Sequence, residues 1–539
     1  MAPTNGTRWP LAAALVAGGA VVAAMLGASL RANQGHLVYA LDDPYIHMAL
    51  ARNLAREGVW GVTRHEYTAA SSSPLWTMVL ALVDRVAGAH EVVPLVLNLL
   101  CGVLVLIVAD RWFARYGLSP AARAAGLFAI LFLTPLPTLA FVGMEHSLQV
   151  LLALLFAWQA AERVAQGPAA APGGMRLAVL AALLAATRFE GAFAVLAAAL
   201  LLAARRAWRV AALTALAGAA PIVLGAAVSI AHGWYALPTS VLLKGNLPAP
   251  NSLLGIAKAL GGDALHRLQG TPLMFVLLLG ALAVVLWQPA APGERTRRRS
   301  AFAWIFALTA LLHLQFADLG WLYRYEAYLV ALACALAAIA LPDVLAAIRE
   351  RWPTRPPASV WAAGLLAALL LATPPVLRAR HALLETVQAT HNIYEQQYQA
   401  GRFLARFYPG AGVALNDVGA TSYLGDFHLT DLAGLATLEV ARARLGREFD
   451  TAAIRRITRA RGVTIAIVFD FWFRAAGGMP REWIRVGRWI IGGNVASGGD
   501  TVSFYGVDGA AAATLERNLR AYSSELPPGV GEQGAYRDE

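Results

Sequence analysis

Charge is scarce in this 539-residue chain: charged residues make up 14% of it, against about 25% in soluble globular proteins. That shortage excludes the row of about three to four soluble domains that length alone would suggest, because the residues needed to coat them are missing. Cysteine is nearly absent too. Cys101 and Cys334 both lie in apolar runs, so neither a disulfide framework nor a cysteine metal site is available. Lysine is the rarer cation: of 44 basic residues, only Lys244 and Lys258 are not arginine. No internal repeat of roughly 20–50 residues is found.

What the chain has in excess is apolar. Hydrophobic residues make up 58% and the mean hydropathy is +0.55, which reads as a mostly α-helical polytopic membrane protein in a lipid bilayer. The net charge of +11 would suit nucleic acid, but arginine in cytoplasmic loops that fix topology accounts for it better, and no nucleic-acid partner is expected.

Apolar runs cover 11–30, 93–109, 121–141, 147–161, 177–187, 191–204, 210–231, 272–288, 301–317, 327–345 and 358–377. The first is long enough for an uncleaved span rather than a signal peptide. Between the runs, basic linkers alternate with linkers rich in acids, aromatics, His and amides. Alternation is strict if 74–88, which carries Asp84 and Arg85, lies along the membrane as a juxtamembrane helix. It also requires 177–204 to form two short spans hinged at Arg188-Phe-Glu190, since a single span would bury both charges in hydrocarbon. About eleven transmembrane helices result. The amino terminus and basic loops are expected in the cytoplasm of a bacterium, and the polar-aromatic loops outside its cytoplasmic membrane.

Beyond about residue 378 the apolar runs shorten to strand length, at 411–417, 463–469, 485–491 and 501–507, and alternate with amphipathic helices at 436–446 and 450–461. The expectation is a membrane domain over 1–377, with its first outer loop at 32–92. A small extracytoplasmic α/β domain would follow over 378–523, then a tail without fixed structure over 524–539.

Candidate chemistry lies in the outer loops. In Asp42-Asp43-Pro44-Tyr45-Ile-His47, Asp43 suits a helix N-cap before Pro44, and the helix should end at Gly58. Asp42 has no such duty and is free to act as a general base. Glu145 and His146 open a span, where capping is the competing role. Arg188 and Glu190 are either a structural ion pair or a cation and acid lining a cavity. Lys244 is either an interfacial lysine or a cation placed for a ligand. Tyr323-Arg324-Tyr325 puts a cation between aromatics, in a pattern that also suits a membrane-interface anchor. Together these residues set cations and acids on one side of an apolar bundle, where the charged headgroup of a lipid would sit.

The run Asp42-Asp43-Pro-Tyr-Ile-His-Met-Ala-Leu-Ala-Arg-Asn-Leu-Ala and then Tyr67-Thr-Ala-Ala-Ser-Ser-Ser-Pro74-Leu-Trp-Thr resembles the opening of the GT-C superfamily of membrane glycosyltransferases. The nearest likeness is to the mycobacterial terminal arabinofuranosyltransferase branch. The resemblance continues, in order, through Gly143-Met-Glu145, Arg188-Phe-Glu190-Gly, Leu237-Pro-Thr-Ser-Val-Leu-Leu-Lys244, Tyr323-Arg324-Tyr325 and Asn416-Asp417-Val-Gly-Ala to Leu429-Thr-Asp431-Leu-Ala-Gly-Leu. Phe189 replaces the family's usual proline.

The resemblance implies a GT-C-like fold, a polyprenyl-phosphate-sugar donor, an active site at the outer membrane face and a catalytic aspartate in the first outer loop. The enzyme would move a sugar, arabinofuranose among the candidates, to a cell-envelope glycan, glycolipid or protein acceptor, inverting the anomeric centre in one step. Asp42 and Asp43 are then the catalytic candidates, with Asp42 as base. Lys244, Arg188 and Arg324 would bind the donor phosphate, and Tyr45, His47, Glu145, His146, Glu190, Tyr323 and Tyr325 the substrates. No cofactor is required, although the carboxylates and histidines would admit a divalent cation. The alternative class is a transporter or flippase for a lipid-linked sugar. Such proteins place ionisable groups at mid-membrane and show related halves, and neither feature is visible here.

Overall fold

The computed structural model describes residues 8–167, 174–244, 271–286, 293–351 and 357–537. Eight helices among them are long and apolar enough to cross a membrane. Three shorter apolar helices, Gly174–Thr187, Gly191–Ala204 and Pro272–Leu286, coincide with three more of the expected runs, so every run has its helix. The fold is the expected one, a multi-pass helical bundle with a small sheet domain at its C-terminal end. The bundle core interleaves Trp112, Phe113, Phe156, Phe302, Phe306 and Tyr328 with many alanines; small residues let helix backbones approach closely where lipid supplies no hydrophobic drive.

Arg188-Phe-Glu190 does break 174–204 into two helices. Gly191 follows at once, and a Cβ there would lie 2.4 Å from the Leu184 carbonyl oxygen, so the hinge closes only around a glycine. Residues 74–87 form one helix that packs Trp76, Thr77, Leu80 and Ala81 inward and exposes Met78, Leu82 and Val86. That distribution suits a helix lying along a membrane better than one crossing it.

The C-terminal domain is a mixed six-stranded sheet of β1 (Gly412–Leu415), β2 (His428–Asp431), β3 (Val463–Val468), β4 (Ile484–Ile490), β5 (Thr501–Gly506) and β6 (Gly531–Gly534). Their order is β2-β1-β3-β5-β4-β6, with β1 parallel to β2 and β3 and the remaining pairs antiparallel. One face packs Phe403, Leu404, Trp489, Phe504, Leu515 and Tyr522. The other packs Val440, Ile454, Val463, Val468 and Phe473.

Two expectations are corrected. The end of the chain is not without structure: β6 pairs with β4 from Gly531 to Gly534, and Tyr536 is buried. Its glycine-rich, polar sequence hid an edge strand that needs little side-chain packing. The boundary placed at 377/378 falls inside one helix, Ala358–Ile393. A π-helical turn, Tyr394–Tyr398, and the helix Gln399–Phe407 continue it.

The loop over 32–92 joins the two parts. Its helix Asp43–Glu57, ended by Gly58 in a left-handed conformation, contributes Ile46 and Leu50 to the core beneath the sheet. Gly419 abuts the loop so closely that a Cβ would lie 2.0 Å from the Asp42 carbonyl oxygen. Gly419→Ala is therefore expected to lower thermal stability in detergent by on the order of 1–3 kcal/mol, as overpacking does. Gly509→Ala, with nothing within 4 Å of the new Cβ, should leave the melting temperature unchanged.

Candidate active site

The acidic pair does not divide its work as the sequence suggested. Asp42 stands in the N-cap position of its helix but makes no capping bond with its side chain. Its carboxylate accepts the backbone N–H groups of Gly419 (2.5 Å) and Ala420 (2.7 Å) instead, at the start of the short helix Gly419–Leu424. Asp417, close enough to interact with it, accepts from Gln397 Nε2 at 2.7 Å. Burial pushes both carboxyls up, that of Asp417 well above the usual carboxylate range with the Asp42 charge adding to the effect. Asp43 is not a capping residue either: its carboxylate accepts from Arg324 Nη2 at 2.5 Å and lines a cavity.

The cations also differ. Arg188 is enclosed by acids, donating to Glu145 at 2.6 Å and to both oxygens of Glu190 at 3.0 and 2.6 Å. Burial opposes its charge, but Glu190 and Glu145 outweigh that and raise its pKa. Arg324, only 2% exposed, bonds Asp43 and the Tyr325 hydroxyl (3.0 Å) through Nη2 alone. Its buried Nε and Nη1 have no hydrogen-bond partner among the described residues, a state that costs about 1–3 kcal/mol per group and more near a charge. The Tyr325 ring sits under both cations, 5.5 Å from Arg188 and 4.8 Å from Arg324. His47 is held neutral chiefly by burial, which lowers its pKa, and Nδ1 lies 3.0 Å from Thr77 Oγ1.

Arg324 is presented by an unusual turn. Gly320, Trp321, Leu322 and Tyr323 all have positive φ, at 80°, 40°, 53° and 62°. Left-handed conformations cost non-glycine residues about 1–3 kcal/mol each and persist only where the surroundings enforce them. Here Glu326 accepts the Gly320 N–H at 2.9 Å and Arg378 Nε at 2.7 Å, while Arg378 Nη2 donates to the Tyr323 carbonyl.

These groups meet around a cavity of about 340 Å³. Asp43, His47, Arg188, Glu190, Arg324 and Tyr325 line it, with an apolar wall that includes Phe189, Phe193, Ile222, Leu237 and Phe316. Other expected site residues lie elsewhere. Glu145 and His146 are fully buried and do not line the cavity; Glu145 backs Arg188. Tyr45 packs in a cluster with Tyr39, Tyr398 and Tyr423, and Tyr323 donates to Glu385 at 2.9 Å. Lys244 ends the short helix Thr239–Lys244, and its side chain is outside the described residues. Asp42 does not line the cavity.

Ser72, Ser240, Asp318 and Leu435 do line it and were not singled out from the sequence. Leu435 arrives from the C-terminal domain on a loop whose backbone N–H groups at 433, 435 and 436 all donate to Asp431, at 2.7, 2.6 and 2.7 Å. The aspartate in Leu429-Thr-Asp431 was the available signal. Among the described residues no group of three or more His, Cys, Asp or Glu is arranged to hold a metal ion.

Residues 391–505 match a family described as a domain of unknown function (DUF8728). No curated protein matches the sequence. Among solved structures, ArnT from Cupriavidus metallidurans bound to undecaprenyl phosphate is similar, with 14% identity, 91% of this chain and 98% of that chain covered, and a TM-score of 0.51. The same protein in the apo state gives 0.49 at 13% identity, covering 91% of this chain and 98% of that one. The apo oligosaccharyltransferase of Archaeoglobus fulgidus gives 0.47 at 12% identity, covering 90% and 74%. The likeness to ArnT is one of fold. The class is thus a multi-pass membrane protein of GT-C-like fold with a C-terminal sheet domain.

The carboxyl pair carries a pH signature. Its folded pKa values lie above the unfolded ones, so its contribution to stability is present at low pH and is lost as pH rises through the folded values. Asp417→Asn keeps an amide that can donate to Asp42 and removes the titration. Melting temperatures measured across a pH series above the usual aspartate range should fall with pH in the wild type and fall less in this variant.

Proposed function

We propose that the protein is an inverting glycosyltransferase using a polyprenyl-phosphate-linked sugar, with Asp43 as general base and Arg324 as the principal phosphate ligand. The observation that carries this reading is Arg324: a buried guanidinium at an apolar cavity, with a carboxylate beside it and two nitrogens that lack partners among the described residues. An anion at the end of a hydrocarbon chain satisfies both the cation and the apolar wall. The undecaprenyl phosphate bound to ArnT supports the same ligand class.

In the reaction, an acceptor hydroxyl attacks the anomeric carbon and gives its proton to Asp43. The bond from that carbon to the phosphate oxygen breaks, and the electron pair leaves with the lipid phosphate, where Arg324 meets the growing charge. Arg188, already balanced by two acids, orients Tyr325 and Glu190 more than it binds phosphate. Asp42 acts as an anchor rather than a base. Arabinofuranose is the donor sugar suggested by the sequence resemblance. The acceptor, an envelope glycan, lipid or protein, would enter past Leu435 of the outer domain, on the external face of the cytoplasmic membrane.

With purified protein and a labelled polyprenyl-phosphate sugar, free polyprenyl phosphate should be released. Asp43→Asn should slow release by roughly 10²–10⁴, the range of general-base catalysis, while Asp42→Asn should lower thermal stability more than turnover. Sugar-lipid translocation in vesicles without release would favour a transporter and overturn the reading. For orientation, a reporter active only outside the cytoplasm should work when fused after residue 380 and be silent after Arg299.

A further inference from the structure

We propose that Arg378 is a positioning residue for Arg324: it fastens the left-handed turn Gly320–Tyr323 so that the guanidinium of Arg324 faces the cavity. The proposal rests on the donor site described above. Arg378 lines no part of the cavity and so touches no substrate. All three of its nitrogens are engaged: Nε with Glu326 at 2.7 Å, Nη1 with the Leu133 carbonyl at 3.0 Å, and Nη2 with the Tyr323 carbonyl.

Those three bonds join both sides of the turn to the end of the helix Pro120–Leu133. The other oxygen of Glu326 takes the Gly320 N–H at 2.9 Å, so one buried ion pair grips the turn at its first and last residues. Arg378 also lies 5.7 Å from the Tyr323 ring centroid, and the hydroxyl of that ring is tied to Glu385.

The grip is needed because of what the turn does. Three successive non-glycine residues occupy a region that L-residues avoid, directly before Arg324. Among the described residues Arg324 itself has the Asp43 carboxylate and the hydroxyl and ring of the adjacent Tyr325 as partners, so its direction depends on the backbone that carries both residues. An ion pair serving stability alone would be a poor use of two buried charges. This one spends its bonds on carbonyls and an N–H that define a strained turn. A rigid planar fork is required, because lysine cannot reach one carboxylate and two carbonyls in fixed directions.

The test uses the full chain in detergent, as wild type, Arg378→Gln, Arg378→Lys, Arg324→Gln and the Arg324→Gln/Arg378→Gln double variant. Hydrogen exchange over 318–326 reads the turn, and binding of undecaprenyl phosphate reads the site. Arg378→Gln should speed exchange there and weaken binding about tenfold, the scale of a misplaced charged hydrogen bond. It should add nothing in the Arg324→Gln background. Arg378→Lys should show the same pattern more weakly, and serves alone if the Gln variant cannot be recovered folded. Unchanged exchange over 318–326, or an equal loss of binding in both backgrounds, overturns the proposal. Absence of binding by the wild type overturns the donor reading instead, and the exchange result then decides the role of Arg378 by itself.

Discussion

The carboxylate of Asp42 against the N–H groups of Gly419 and Ala420 holds the architecture of the site in place. It buries a carboxyl between the loop over 32–92 and the C-terminal domain, and Gln397 and Asp417 complete its surroundings. Successive residues of a helix point about 100° apart. Once Asp42 is turned into the domain junction, Asp43 has to face elsewhere, and elsewhere is the cavity. Two adjacent acids thus acquire unlike duties from geometry alone.

The charges around the cavity follow a similar logic of unequal pairing. Arg188 has two acids and Arg324 has one. Removing cations from water is tolerable only with good partners, so the incompletely satisfied guanidinium is where an external anion gains most. Tyr325 lies beneath both arginines and fixes their separation without supplying charge. The apolar wall behind them lowers the local dielectric, which strengthens whichever ion pair forms there.

Much of the fold was legible in the sequence because hydrophobic periodicity reports local structure directly. Each of the eleven apolar runs became a helix, and four of the six strands fell where alternating apolar segments placed them. β2 was missed because His428-Leu-Thr-Asp431 holds a single apolar residue, and β6 because glycine and polar side chains at a sheet edge leave no apolar trace. The site was legible as a set of loops but not as a set of contacts. Nothing near Asp42 in the chain hints at Gly419, a partner more than 370 residues away. Asp43 before a proline looked like a helix cap until Arg324 was beside it. Glu145 and His146 stand at the start of a helix, as their place in the sequence suggests, but they are buried behind the cavity wall rather than lining it. Leu435, a plain leucine in a loop, carried no signal beyond the nearby Asp431.

The helical stretch from Ala358 to Phe407 runs for 50 residues, about 75 Å at 1.5 Å per residue. It begins as an exposed apolar span and ends within the packed core of the C-terminal domain, with no break in the helix between. The domain is therefore mounted on a mast rather than tethered. A change in bilayer thickness that tilts the mast must either displace the domain or be taken up by bending at Pro374-Pro375 or in the π-helical turn. Because Leu435 on that domain forms part of the cavity wall, any such displacement would also reshape the cavity.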